Sequence, residues 1–362
     1  FDNISWLIKT HLSTTPYTYN LYRNEVKVNE EEIATTSYTD ENLVSNATYQ
    51  YQVKTIYNGA ESNPSNMVGF AFGNTALGDL ELASEDKMTL TSNSSLSVNG
   101  SLVSPSPDNL ILEDNAQLIH STSGVQATVQ KSITGYGSGN GNWYLVASPF
   151  VGNMAATPLT IGEYDLYSYD EPTHYWMNSK DSSSDFNTLT NGTGYLYANE
   201  ADKQVNLSGE LQSSSSHVDV TLSYTTSQDK LRGFNLVGNP FPCKATLMGD
   251  NIAADFYVMS DGRDELVMSQ GIVVNPYEGI FVEATSSEGS VAKFYRWNPN
   301  YRGGESSTSF DITVNEGRSE IDRARVRMGE GVGLGKFSLN ENSARIYIPM
   351  DKQDYASAYV SG

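Results

Sequence analysis

Residues 143–150 read WYLVASPF, and 91 positions further on residues 234–241 read FNLVGNPF. Each octet places a short apolar run, YLV or NLV, ahead of a small or polar residue, a proline and a phenylalanine. This predicts a buried strand that runs into a turn fixed by Pro149 or Pro240, with Phe150 or Phe241 plugging the core behind it. The repeat reaches beyond the octets. DLYSYD at 165–170 is echoed by DFYVMS at 255–260, and TGYLYAN at 193–199 by EGIFVEA at 278–284, offsets of 90 and 85 residues. Element order is kept while loop lengths vary. Two copies of one small β-unit, 141–230 and 231–300, are therefore expected to pack against each other, because neither alone buries a two-faced sheet.

Outward from the repeat, alternation at period two dominates: Tyr17, Tyr19 and Leu21; Tyr49, Tyr51 and Val53; Val218, Val220 and Leu222; Ile346 and Ile348. Helical periodicity is nearly absent, so the chain reads as all-β, built of half-buried antiparallel strands. Residues 88–140 carry apolar pairs at Met88/Leu90, Leu96/Val98, Leu102/Val103, Leu110/Leu112 and Leu118/Ile119, separated by Asn, Gly, Ser or Pro. Short stacked, solenoid-like strands explain that spacing. Residues 73–87, rich in Gly, Asn and acidic side chains, read as a linker, and 301–362 as a C-terminal β-region that is expected to be truncated.

Residues 1–72 resemble a fibronectin type III domain. Trp6 falls where that family places its core tryptophan, and Leu43 followed by Tyr49 matches the spacing of its tyrosine corner. The resemblance implies a sandwich whose first strand is missing, with Trp6 and Tyr49 as core and staple. The phrases NWYLVASPF, YDLYSYD, GTGYLYAN, FNLVGNPFPC and IDRARVRMGEGVGLGKF, within residues 88–362, resemble the C-terminal half of large Bacteroidales surface proteins. That resemblance implies adhesin-like cargo of the type IX secretion route, located extracellularly or at the outer-membrane surface of a Gram-negative bacterium.

Charge and motifs narrow the function. The 362 residues hold 22 Lys plus Arg against 43 Asp plus Glu, a formal charge of −21, which disfavours nucleic acid and anionic membrane surfaces. No run of 18 apolar residues exists to span a bilayer as a helix. The single cysteine, Cys243, excludes an internal disulfide and a cysteine-based zinc cage, and reads as a small buried apolar residue. MGEGVGLGKF at 328–337 is not a phosphate-binding loop: Glu330 stands where a glycine is needed and Phe337 where a Ser or Thr would meet magnesium. It reads as a flexible glycine turn. His11, His120, His174 and His217 are scattered, with no HExxH or GxSxG motif to support catalysis. SDGRDE at 260–265 could offer carboxylates to calcium, but a hairpin turn explains it better.

Aromatics remain. Trp176, Trp297 and Tyr301 are the candidate ligand-binding residues, since exposed rings stack on sugars or anchor a protein partner; the competing expectation is that alternate members face a core. The reading is a non-catalytic, adhesin-like or scaffold protein with no cofactor and no bound metal. Its partner is expected to be a protein or glycan at the cell surface, with no nucleic acid and no membrane insertion. A carbohydrate-binding module is the alternative, and a glycan-acting hydrolase with paired carboxylates comes third.

Overall fold

The computed structural model describes residues 17–41, 43–137, 142–182, 186–226, 230–260, 263–269, 271–297, 309–316, 319–328, 333–336, 348–350 and 353–360. These residues are all-β and contain no helix. They fall into two units, 1–130 with 208–210, and 131–207 with 211–362.

In the first unit, Thr18–Arg23 and Ala47–Tyr57 pair antiparallel in register from Thr18/Ile56 to Arg23/Tyr51, and Val68–Phe72 adds antiparallel on the far side. The alternation read from the sequence now has a face: Tyr19, Leu21, Tyr49 and Tyr51 point into one core with Ile33. Tyr49 staples its own loop, its hydroxyl accepting from the Val44 N–H at 2.7 Å and donating to the Val44 carbonyl at 3.1 Å. Trp6 lies outside the described residues.

Val68–Phe72 then changes partner type. Its outer edge pairs in parallel with Lys87–Leu90, which pairs in parallel with Leu110–Leu112 and so with Gln126–Ile133. Two further parallel stacks stand beside this one: Asn74–Leu77, Ser95–Val98 and Gln117–Ile119, and Leu80–Glu81 with Leu102–Val103. Equivalent residues such as Leu80 and Leu102, or Ser95 and Gln117, are 22 apart, one circuit of a three-sided solenoid. Inside it, Ala71, Leu90, Leu112 and Val129 stack in register and are buried. Asn93 and Asn115, also 22 apart, both take positive φ at one corner, where Asn is the tolerated non-glycine residue.

Residues 73–87, expected as a linker, therefore carry Asn74–Leu77 and Leu80–Glu81, two sides of the first circuit. Their polar composition belongs to the outer face; Leu80 and Leu82 fill the interior.

The second unit contains the repeat. One sheet orders its strands Tyr144–Ala147, Gly194–Asn199, Tyr164–Asp170, Tyr175–Asn178; another orders Phe234–Gly238, Gly279–Glu283, Tyr257–Met259, Leu266–Met268. The first three strands of each sheet are counterparts at the offsets read from the sequence, and the structure adds a fourth pair, Tyr175–Asn178 with Leu266–Met268. A second layer repeats too, as Asn153–Ala155 pairs with Thr188–Thr190 and Ala245–Asp250 with Val273–Val274. Phe150 and Phe241 are buried as expected. The residue before each proline closes the turn: Ser148 Oγ accepts from the Phe150 N–H at 3.3 Å and Asn239 Oδ1 from the Phe241 N–H at 3.0 Å. Val218–Thr221 lies before the expected start of the second copy at 231, yet it pairs with Val291–Arg296 in that copy's sheet.

The copies meet through equivalent residues. Val146 bridges Glu278 and Val237 bridges Thr193, the same pair of positions with the roles exchanged. The Ala147 N–H donates to Tyr277 O and the Gly238 N–H to Gly192 O, each at 2.9 Å. A local two-fold relation generates both pairs, and Leu145, Leu196, Leu236, Phe234 and Phe281 share one core across it. After the repeat, Ser309–Glu316 and Ser319–Met328 form a hairpin, to which Ser357–Val360 adds in parallel. Within 328–337, expected as a flexible glycine turn, Leu334 is buried in the repeat's core and its neighbour Gly335 takes Tyr257 Oη at 2.8 Å; the apolar Leu334 side chain fixes what the glycines alone would leave loose.

Candidate functional site

Trp176 sits on Tyr175–Asn178, the outer strand of the first copy's sheet. Its cross-strand partner is Tyr169, and its ring meets Tyr169 at 5.2 Å, Phe281 at 5.7 Å and Tyr167 at 6.4 Å, all edge-on. This ring is half-buried and packs against the core. Trp297 is different. It follows Val291–Arg296, keeps 37% of its surface exposed and has Lys244 Nζ 5.8 Å from its ring centre. Tyr301 lies outside the described residues. Trp176 and Trp297 thus have different neighbours and different exposure.

Three carboxylates of the second unit hold backbone amides. Glu171 Oε1 accepts from the Thr225 and Gly233 N–H groups at 2.9 and 2.7 Å, and Glu278 Oε2 from the Asn275 N–H at 2.9 Å. Glu283 accepts from the Gly335 N–H, and burial lifts its carboxyl to about 7. Burial also raises Glu278. Side chains committed in this way clasp loops. Arg325 reaches Asp311 at 2.8 Å and Asp255 at 3.3 Å, and Arg327 reaches the same Asp255, which fastens the C-terminal hairpin to the second copy.

His120 is buried with Nδ1 2.9 Å from Thr122 O, and His217 stacks on Tyr295 with Asp219 at 3.4 Å. Asp264 accepts from Ser260 Oγ between the paired strands Tyr257–Met259 and Leu266–Met268, as a hairpin requires; Asp261 lies outside the described residues. Among the described residues no group of three or more His, Cys, Asp or Glu side chains is placed to hold a metal ion. No helix among them is long and apolar enough to cross a membrane.

The concavity that sequence reasoning missed lies in the first unit. It is a groove of about 590 Å³ between the turn joining Thr18–Arg23 to Val26–Lys27 and the loop 38–41, lined by Arg23, Val26, Lys27, Tyr38, Asp40 and Glu41 among others. Asn24 and Glu25 both take positive φ, which makes the connection a two-residue hairpin turn and projects it beyond the sheet. Asp40 forms the floor: its side chain is 3% exposed, both its oxygens take Arg23 Nη1, at 3.0 and 2.9 Å, and Oδ2 also takes the Tyr51 hydroxyl at 2.7 Å. Burial first, and then the Asp40 contact, raise the Tyr51 hydroxyl pKa. The one legible signal was YRNEVKV, a strand pair around a two-residue turn with a cation on each side.

Fold and geometry thus define an all-β protein with a polar groove on its amino-terminal sheet. Residues 3–70, which contain that groove, match the family described as the rhamnogalacturonan I lyases beta-sheet domain. No curated protein and no solved structure matches the chain.

Proposed function

We propose that this chain is a non-catalytic, carbohydrate-recognising scaffold, carried outside the cell or on the outer-membrane surface in the manner of an adhesin. The observation that carries this reading is the similarity of residues 3–70 to a β-sheet domain of enzymes named for rhamnogalacturonan I. It favours a glycan over a protein as the partner. Support for a non-catalytic role comes from the sequence, which carries no HExxH or GxSxG motif.

The test is calorimetric titration of the full chain with rhamnogalacturonan I, with a neutral galactan as control, alongside an ultraviolet assay for the unsaturated uronate that a lyase leaves. Saturable binding without new absorbance is the expected result. Absorbance that grows with time would make the chain an enzyme, and absence of binding to either polysaccharide would remove the carbohydrate reading.

A further inference from the structure

The two copies are alike in sequence and differ in what lies over them. In the second copy the face that carries Asp255 and Tyr257 is covered: Leu334 and Ala356 enter its core, Tyr257 Oη reaches Gly335 O at 2.8 Å, and Arg325 and Arg327 both take Asp255. Phe234, Asp255, Tyr257, Leu266 and Met268 are buried there. The repeat offsets and the strand registers place Trp143, Asp165, Tyr167, Trp176 and Asn178 at the same positions of the first copy. The ring pairs correspond as well, Trp143 to Tyr167 at 6.2 Å and Phe234 to Tyr257 at 6.1 Å. All five first-copy residues stay half-buried.

The replacements suit a partner better than a core. Two tryptophans stand at the positions of Phe234 and Leu266, and Trp and Tyr are side chains that anchor protein interfaces. Asp165 keeps the charge of Asp255, but its ion pair is a loose one: Lys180 Nζ lies 3.8 Å away, the two side chains are 42% and 31% exposed, and the same ammonium sits 4.5 Å over the Tyr164 ring. Burial first, and then the charges of Asp165, Glu200 and Glu163, raise the Tyr136 hydroxyl pKa, so three carboxylates stand near that ring. A guanidinium answers both features, since it pairs with carboxylates and stacks on aromatic faces. The chain's net charge of −21 draws a basic partner toward such a face.

We propose that this face of the first copy docks an extended, arginine-bearing strand of a partner protein, with an arginine on Asp165 and an apolar side chain against Trp143, Tyr167 and Trp176. The occupant's chemistry is read from Ser319–Met328, whose alternate residues Arg325 and Arg327 hold the equivalent aspartate of the second copy. That strand is already seated, so a separate chain supplies the one for the first copy. The occupant is a protein, and the inference stands apart from the glycan reading of residues 3–70.

The probe is a synthetic peptide of residues 319–328, SEIDRARVRM, titrated into the full chain while amide exchange is followed in 164–170 and 175–178. Saturable binding at one site, with protection gained in those two strands, is the expected result. Replacing the peptide's arginines by glutamine should weaken binding by about tenfold or more, the ordinary worth of a charge-assisted contact, and Asp165→Asn in the protein should do the same. Asp165 is half-buried and its ion pair is loose, so that variant should melt with the wild type. Absence of saturable binding, or an affinity that survives Asp165→Asn, would overturn the docking face. Protection changes confined to the second copy would mean that the peptide exchanges with the chain's own strand, and would overturn it as well.

Discussion

Gly238→Ala should destabilise the second unit through a single methyl group. Ala147 and Gly238 occupy the same position of the two octets and face each other at the local two-fold relation. A Cβ built on Gly238 would overlap the Ala147 Cβ and lie 2.7 Å from the Thr193 carbonyl oxygen. Ordinary carbon contacts are about 3.5–4.0 Å, so the seam must open by about 1 Å. Thr193 cannot yield alone, because it is bridged to Val237. Overpacking of this kind costs about 1–3 kcal/mol, and replacing a strand glycine by alanine returns about 0.5–1 kcal/mol in backbone entropy. A net loss of about 1–2 kcal/mol follows, which at about 2–4 °C per kcal/mol for a unit of this size lowers its melting transition by several degrees. Differential scanning calorimetry of the full chain reads this directly. Ala147→Gly in the same molecule removes the methyl–methyl conflict, so the double variant should be more stable than the sum of the single losses by about 1 kcal/mol. An unchanged transition in Gly238→Ala, or strict additivity in the double variant, would refute the seam as described.

Three further outcomes follow from buried groups. Burial raises the Glu283 carboxyl from 4.5 to about 7, so the folded state holds this proton more tightly than the unfolded chain; the associated stability is present below about pH 4.5 and is lost as pH rises through about 7. Glu283→Gln keeps an acceptor for the Gly335 N–H and should flatten melting temperature against pH across that window; an undiminished slope would contradict the assignment. Asp255→Asn should cost about 3–5 kcal/mol by leaving Arg327 and one arm of Arg325 without their buried counter-charge, and should first show as lost amide protection in 319–328. Protection equal to the wild type would mean that the hairpin is held by other contacts. Cys243, whose thiol burial pushes up to about 12, should react with a disulfide reagent only as fast as the second unit unfolds, and prompt labelling of the native chain would contradict its burial.

The duplication was legible because a strand–turn motif is local. YLV-A-SPF and NLV-G-NPF each encode one buried strand, one proline turn and one plug, and no distant residue is needed to recognise them. The solenoid was legible for the same reason from Met88 onward, where apolar pairs recur at short intervals. It was missed at 73–87 because only Leu80 and Leu82 are fully buried there, and the acidic and amide side chains around them imitate a linker. The aromatic candidates show the opposite limit. Trp176 and Trp297 look alike in sequence, yet one packs edge-on against Phe281 and the other keeps a solvent-exposed ring.

By itself the sequence determined the strand content, the order of elements and the existence of two equivalent units, since all of these follow from the period-two pattern and from turn residues within a few positions of one another. Only the tertiary structure decided that the amino-terminal sheet continues into the solenoid through Val68–Phe72, that the copies are paired by Ala147, Gly194, Gly238 and Gly279, and that Arg23 and Asp40 meet in a groove. Those outcomes depend on which strand edge finds which partner and on charges brought together from separate loops. Such choices are settled by the free energy of long-range packing, which no local pattern contains.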